Sequence, residues 1–254
     1  MTKIAIVIPA RLASTRFPRK VLLDILGMPM LEHVRRRALM CPDVRSVTVA
    51  TCDVEIADYV TSNNGKVVMT SDIHKNGTSR VVEAIKQIDC THVILLQGDE
   101  PLILPRHINF LANSIEDNPH IKAWNLVSSS VSASEIDKHS IVKCVVGNAS
   151  SILYCFRRSP FYGDFNIYKS AVRKMLGVMA FKKNFLLELP NVQESSCDLS
   201  ESIEQMKIIQ NNLELRYLDV EPSLPSINEP AEVDAVLEFF SKDVEQIELF
   251  KKYS

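Results

Sequence analysis

No run of apolar residues in this chain approaches the length that crosses a membrane, so insertion of a helix into a bilayer is not expected. Nor is there an excess of charge of either sign. Lys plus Arg is 29 and Asp plus Glu is 31, a formal net charge of −2. That balance argues against a general nucleic-acid binder and leaves any basic cluster as a local device. The six cysteines (Cys41, Cys52, Cys90, Cys144, Cys155, Cys197) are widely spaced and form no C-x-x-C pair. Met1-Thr2-Lys3 passes straight into an apolar run with no secretory leader, so they read as reduced thiols of a cytoplasmic protein, mostly small core residues. Internal repeats and low-complexity linkers are also missing. What remains is 254 residues of 46% hydrophobic composition, enough to bury a full core as one large domain or one domain with an insertion.

The apolar run is Ile4 to Ile8, with three isoleucines and a valine, the pattern of a strand buried on both faces of a parallel sheet. Pro9 is expected to stop it. Arg11, Arg16, Arg19 and Lys20 then fall within ten residues, together with the hydroxyls of Ser14 and Thr15. Cationic donors at this density suit a polyphosphate, arginine supplying fork-shaped pairs and lysine a mobile point charge. A solvated basic loop would have the same composition. The position directly after a buried strand favours the ligand, because open α/β sheets bind theirs beyond the carboxyl ends of strands.

Further along, Asp24 to Pro29 is a turn containing Gly27. Met30 to Met40 reads as a helix with Met30, Leu31, Val34, Ala38 and Leu39 on one face and Arg35, Arg36 and Arg37 mostly outward. Val44 to Thr51 is a strand, Asp53 to Asn63 a helix that Gly65 ends, and Lys66 to Met69 a short strand. In Thr70 to Arg80, Gly77 permits tight backbone and Thr78 can cap the helix that follows, whose buried face is Val81, Val82, Ile85 and Ile88. Such a start can hold an anion or be an ordinary capped turn. His74 alone reads as a surface or hydrogen-bonded histidine.

His92 to Leu96 is another buried strand, ending in Gln97-Gly98-Asp99-Glu100-Pro101. Acids at that place suit magnesium, which prefers one or two carboxylates plus phosphate oxygens. The alternative, Asp99 as cap of a helix from about Arg106, is opposed by the intervening Pro101 and Pro105. Beyond Asn118 the rhythm changes. Lys122 to Ser128, Ile141 to Val146 and Ser151 to Phe156 are strand-like, with a hairpin turn at Gly147-Asn148. Met175 to Phe181 and Leu215 to Val220 are further strands, separated by a helix from about Ser200 to Gln210, and a last helix starts near Pro230. The expected fold is α/β, a doubly wound, mostly parallel, Rossmann-like sheet with an antiparallel excursion that forms a lid or dimer region.

Taken together and in order, these motifs resemble those of the 3-deoxy-manno-octulosonate cytidylyltransferases, also called CMP-Kdo synthetases. The matching stretches are Ile8-Pro9-Ala10-Arg11 with Ser14, Arg16, Pro18 and Lys20; His74 with Gly77-Thr78 and Arg80; and Gln97-Gly98-Asp99-Glu100-Pro101. Val142-Lys143, Phe156 with Arg158 and Pro160, Leu176-Gly177 and Glu201-Ser202-Ile203-Glu204-Gln205 continue the likeness over nearly the whole chain. The resemblance implies that the anomeric hydroxyl of a 2-keto-3-deoxy sugar acid attacks the α-phosphorus of CTP, giving a CMP-sugar for lipopolysaccharide or capsule and releasing pyrophosphate. It implies a nucleotide site of Ala10, Arg11, Ser14, Arg16, Lys20, Ser71, Arg80 and Gln97, with Arg11, Lys20 and Asp99 catalytic. Arg80, Gln97, Arg158, Met175, Glu204 and Gln205 would bind the sugar, and Asp99 with Asn228 a magnesium ion. It further implies one domain, with a nucleotide part at about 1–118, a sugar-binding and dimerisation part at about 119–227 and a C-terminal helix, assembled as a homodimer.

Three places depart from the family pattern. Asn228-Glu229-Pro230 stands where an aspartate usually precedes Thr-Pro, offering a neutral carbonyl oxygen to the metal or simply capping the last helix. Met175 stands where a histidine usually contacts the sugar acid, which should change the acid accepted. Ser79 replaces an acid and Arg19 a glycine; arginine there is similar to CMP-sialic acid synthetases. The readings left open are Kdo or an amino or capsule variant of it, another acidic acceptor such as a sialic-acid-like sugar, and a weakened homologue that binds nucleotide without turnover.

Overall fold

The computed structural model describes residues 2–14, 16–193 and 196–254, so the Thr15 hydroxyl lies outside the described residues. In chain order the elements are β1 (Ile4–Ala10), the short β2 (Asp24–Ile25) and β3 (Met28–Pro29), α1 (Met30–Leu39), β4 (Ser46–Thr51), α2 (Val54–Ser62), β5 (Lys66–Met69), α3 (Gly77–Ala84), β6 (His92–Leu96) and α4 (Pro105–Asp117). Then follow β7 (Ala123–Ser128), β8 (Lys143–Val146), β9 (Ile152–Phe156), α5 (Phe165–Tyr168), β10 (Val172–Lys182), α6 (Lys183–Glu188), α7 (Ser196–Glu201), α8 (Met206–Gln210) and β11 (Arg216–Asp219). Two helices end the chain, α9 (Val233–Lys242) and α10 (Val244–Lys251). These elements form two compact units, Met1–Glu116 with Leu224–Ser254, and Asp117–Ser223.

In the first unit β1 pairs in parallel with both β4 and β6, and β4 with β5. β1 is the innermost strand, which is why Ile4 to Ile8 needs apolar side chains on both faces; all five are at most 2% exposed. The chain winds outward from β1 to β5 and then returns to β6 on the other side of β1. That reversal makes the carboxyl ends of β1 and β6 a topological switch point, where α/β sheets open a crevice. Pro9 does not stop the strand. Pairing with β6 ends at Val7 opposite Leu95, whereas Pro9 and Ala10 continue opposite Ala50 and Thr51 of β4, so the missing N–H falls where one neighbour has already gone.

α1 departs from the expected one-sided helix. Leu39 is 54% exposed, whereas Arg35 and Arg37 are buried. Each buried cation has partners, local for Arg35 and distant along the chain for Arg37. Arg35 makes a fork on the fully buried Glu32 at 2.7 and 2.6 Å, and Arg36 also reaches Glu32, at 2.7 Å. Arg37 donates to the Tyr253 hydroxyl at 2.9 Å and to the Ile103 carbonyl at 3.2 Å, and lies 5.4 Å from the ring centres of Phe240 and Tyr253. The end of the chain thus covers the charged side of α1.

The second unit carries the antiparallel strands. β7 pairs with β10, β10 with β8 and β8 with β9 in antiparallel fashion, while β11 joins β7 in parallel. Asn148–Ser150 makes the β8 to β9 turn. A single helix from Ser200 to Gln210 is not formed. Ser202 takes a left-handed conformation (φ 52) between α7 and α8. Ile203, Met206 and Ile208 are all at most 3% exposed, and at helical spacing they would not share one face. All six cysteines are free, and burial pushes the Cys41 and Cys144 thiols up to about 12.

Two stability measurements follow from this packing. Tyr253→Ala uncovers Arg37 and should lower the free energy of unfolding in urea by about 2–4 kcal/mol; no change would show that the C-terminal residues do not seal α1. In the second unit, Ser128, Ser129 and Ser130 hydroxyls donate to Glu221 at 2.8, 2.8 and 2.7 Å. Partial burial raises the Glu221 pKa, but the serine hydrogen bonds outweigh it and hold the carboxyl at about 2. With the folded value below the ordinary 4.5, this contribution is complete above that pH and is lost as pH falls towards 2. Glu221→Gln should therefore flatten the acid side of the stability profile; equal slopes for the two proteins would refute the assignment.

Candidate active site

The loop after β1 is folded back on itself, not splayed into solvent. Arg19 N–H donates to Leu12 O at 2.8 Å, Ser14 N–H to the same oxygen at 2.9 Å, and Leu12 N–H to Asp53 Oδ2 at 2.8 Å. Arg19 closes the turn in the left-handed region (φ 61), a conformation that glycine adopts without strain, and its guanidinium pairs with Glu55. Asp53 sits at the N-cap position of α2, yet its side chain makes no cap and is spent on the loop. Nothing in the sequence pattern marked Asp53, because its partner is a backbone N–H 41 residues away.

One cleft at the switch point is lined by Ala10, Arg11, Ser14, Arg16, Lys20, Arg80, Gln97 and Asp99, together with Asn76 and Gly77. Four cationic side chains therefore face one carboxylate. Lys20 Nζ lies 2.6 Å from Asp99 Oδ2 and 3.1 Å from Ile227 O, and Ile227 N–H donates to Asp99 O at 3.0 Å. Residue 227 thus fastens the end of β6 through both Asp99 and Lys20. Gly77 is needed for closeness: a Cβ there would stand 3.1 Å from the Pro9 ring and 3.4 Å from the Gln97 amide.

Arg80 is 2% exposed and reaches the cleft from α3. Its Nη1 donates to Thr70 Oγ1 at 2.5 Å and to Ser71 O at 3.2 Å. Its Nη2 is buried with no hydrogen-bond partner among the described residues, and a buried charged donor of that kind costs free energy until something accepts from it. Ser71 does not line the cleft; its N–H donates to the Glu83 carboxylate at 3.1 Å and its hydroxyl accepts from Ile73 N–H at 3.3 Å. His74 pairs through Nε2 with Glu83, and that bond, with the Ser71 N–H, keeps the Glu83 carboxyl below its usual range. Arg11 Nη1 reaches His74 O at 3.4 Å, tying the two polar loops together.

Thr78 is not the cap of α3. Asn76 is, its Oδ1 accepting from Ser79 N–H at 2.9 Å, while the Thr78 hydroxyl is buried one residue inside the helix. Asn76 also lines the cleft and was missed as a site residue, although an asparagine directly before a glycine and a helix is a recognisable cap signal. At the other end of the unit Asn228 does not cap the last helix either. Its Nδ2 donates to Ser226 Oγ at 3.0 Å, and the cap is Glu229, which forms a reciprocal box with Glu232. Among the described residues no three His, Cys, Asp or Glu side chains gather to hold a metal.

The remaining candidates belong to the second unit. Met175 lies on β10, 9% exposed and opposite Val127. Gln205 precedes α8 and donates from Nε2 to Asn125 Oδ1 at 2.9 Å, and Glu204 is its half-buried neighbour. Arg158 is exposed, whereas Arg157 is anchored, donating to Glu201 O at 3.0 Å and to His139 O at 2.8 Å. Lys143, fully buried, donates to the carbonyls of Lys138, Ile141 and Arg157, and burial brings its pKa down to about 8.

The family model described as Cytidylyltransferase matches residues 5–215. The 3-deoxy-manno-octulosonate cytidylyltransferase of Escherichia coli is 36% identical over 244 residues, covering 96% of this chain and 98% of that one. The protein of the same name from Geobacter metallireducens is 33% identical over 251 residues, with 94% and 98% covered. A solved structure of CMP:2-keto-3-deoxy-manno-octonic acid synthetase complexed with CTP superposes with a TM-score of 0.89 at 34% identity, over 96% of this chain and all of that one. The 4-diphosphocytidyl-2C-methyl-D-erythritol synthase of Anaerococcus prevotii, 13% identical with a TM-score of 0.66, shares the fold. By sequence over nearly its whole length, and by the fold that carries its cleft, the chain belongs to the cytidylyltransferase family, among the 3-deoxy-manno-octulosonate cytidylyltransferases.

Proposed function

We propose that this chain activates 3-deoxy-manno-octulosonate, or a closely related 2-keto-3-deoxy sugar acid, with CTP, releasing pyrophosphate and yielding the CMP-sugar. The observation that carries this reading is the cleft in which Arg11, Arg16, Lys20 and Arg80 meet the single carboxylate of Asp99. A triphosphate supplies the negative charge such a cation set lacks. Arg11, Arg16 and Lys20 bind and neutralise the phosphates as the anomeric hydroxyl attacks the α-phosphorus and the bond to the pyrophosphate oxygen breaks. Ala10 and Ser14 line the same loop, Gln97 and Arg80 hold the nucleotide or substrate, and Ser71 fixes the loop behind Arg80. No covalent nucleophile is required, because phosphoryl-type transfer is accelerated mainly by positioning and electrostatics.

The oxygen donors suit a magnesium ion in kind: the Asp99 carboxylate lines the cleft, and Asn228, which does not line it, offers a neutral amide oxygen next to the Ile227 that bonds to Asp99, the rest coming from phosphate. When bound, it would neutralise charge on the phosphates. Asp99 Oδ2 is engaged with Lys20 at 2.6 Å, so a metal taking that oxygen would compete with the lysine. In the second unit Arg158, Met175, Glu204 and Gln205 are assigned to the sugar acid. The apolar Met175 favours an acid that differs from Kdo in the group placed there. The reading includes a homodimer built through the antiparallel strands, on which Leu153 is 54% exposed, and a cytoplasmic location that keeps the thiols reduced.

Pyrophosphate release measured with CTP, magnesium and a panel of keto-acid sugars tests the function; CTP binding with no release for any acid would overturn it. Asp99→Asn should lower turnover by about 100-fold or more while leaving the melting temperature in place, and near-normal turnover would remove Asp99 from the site. Asn228→Asp supplies a second carboxylate and should lower the magnesium concentration for half-maximal rate; an unchanged requirement would make the residue structural.

A further inference from the structure

A carboxamide can turn either end towards a ligand, presenting a donor or an acceptor, and at Gln205 the backbone decides which. β10 is bulged: the four steps from Met175 to Met179 are matched by only two on β7, from Val127 to Asn125. There the Leu176 carbonyl lies 3.1 Å from Asn125 Nδ2, which also donates to the Leu126 carbonyl at 2.7 Å. Carbonyl oxygens only accept, so the nitrogen of Asn125 must face both of them and its oxygen must face away. Asn125 is completely buried, and turning it over would set its oxygen against two carbonyl oxygens.

The Asn125 oxygen accepts from Gln205 Nε2 at 2.9 Å, and the same nitrogen lies 2.9 Å from Met179 Sδ, a weak acceptor. The nitrogen of Gln205 is thereby committed inward. Its Oε1 is the end left for a ligand. We propose that Asn125 is a positioning residue for sugar recognition: it relays the polarity of two backbone carbonyls to Gln205, which presents an acceptor and so selects a hydroxyl of the sugar acid, not its carboxylate. This rests on the reading of Gln205 as a sugar-binding residue. It also gives the Leu176-Gly177 bulge a purpose, since the displaced Leu176 carbonyl sets the direction of the chain of bonds.

The test is steady-state kinetics with 3-deoxy-manno-octulosonate and its monofluoro analogues, in which fluorine replaces one hydroxyl and cannot donate. Wild-type protein should bind one analogue about tenfold more weakly than the parent sugar. Asn125→Ala should raise the KM for the parent sugar about tenfold, leave kcat and the CTP dissociation constant unchanged, and erase the discrimination against that analogue. Gln205→Glu should also raise the sugar KM, because its inward oxygen meets Asn125 Oδ1 although an oxygen still faces outward; this variant decides the matter should Asn125→Ala fail to fold. If Gln205→Ala raises the sugar KM while Asn125→Ala and Gln205→Glu do not, the relay is refuted and the sugar site stands. If Gln205→Ala leaves the sugar KM unchanged, the sugar-site reading of Gln205 fails and the relay with it. A parallel rise in the CTP dissociation constant for Asn125→Ala, with a lower melting temperature, would mark Asn125 as merely structural and overturn the proposal.

Discussion

Like charges must be held together before the ligand arrives, and the first unit is arranged around that constraint. Arg11, Arg16, Lys20 and Arg80 share one cleft with a single carboxylate, and their mutual repulsion has to be carried by the framework. β1 and β6, buried throughout, end at the crevice and fix the starting points of the loops. Asp53 and the Leu12 carbonyl fold the basic loop, Glu83 holds the facing one, and Thr70 and Ser71 restrain Arg80. Asp99 relieves part of the repulsion through Lys20. A site built this way is pre-organised for an anion, so that little reorganisation is left for the reaction.

Much of this was legible in the sequence because it is local. The run Ile4 to Ile8, the basic residues after it and the acid after β6 each announce their role by composition and by position on a strand. Much of what escaped depends on which side chains tertiary packing buries. The arginines of α1 look like a solvated face until the ring of Tyr253 and the carboxylate of Glu32 are placed beside them. The break at Ser202 follows from burial of both Ile203 and Ile208, which becomes known only once the neighbouring sheet exists. The cap of α3 is Asn76, two positions before the Thr78 that the sequence suggested.

The polar groups of the two units are of different kinds. In the first, four cations and one carboxylate line a single cleft. In the second, uncharged side chains of β7, of β10 and of the residue before α8 are joined by hydrogen bonds of fixed polarity. Met175, 9% exposed on β10 opposite Val127, adds neither charge nor a strong hydrogen-bonding group to that set.

The first unit is discontinuous, its last 31 residues being added after the whole second unit has been made. During synthesis the cations of the cleft are all translated within the first 80 positions, yet Ile227, which fastens Lys20 and Asp99, comes only near the end. A chain translated only as far as residue 223 therefore has all four cations of the cleft but neither of the Ile227 backbone groups that bond to Lys20 and Asp99. The connectivity therefore defers the last hydrogen bonds of the charged cleft until the whole second unit has been translated.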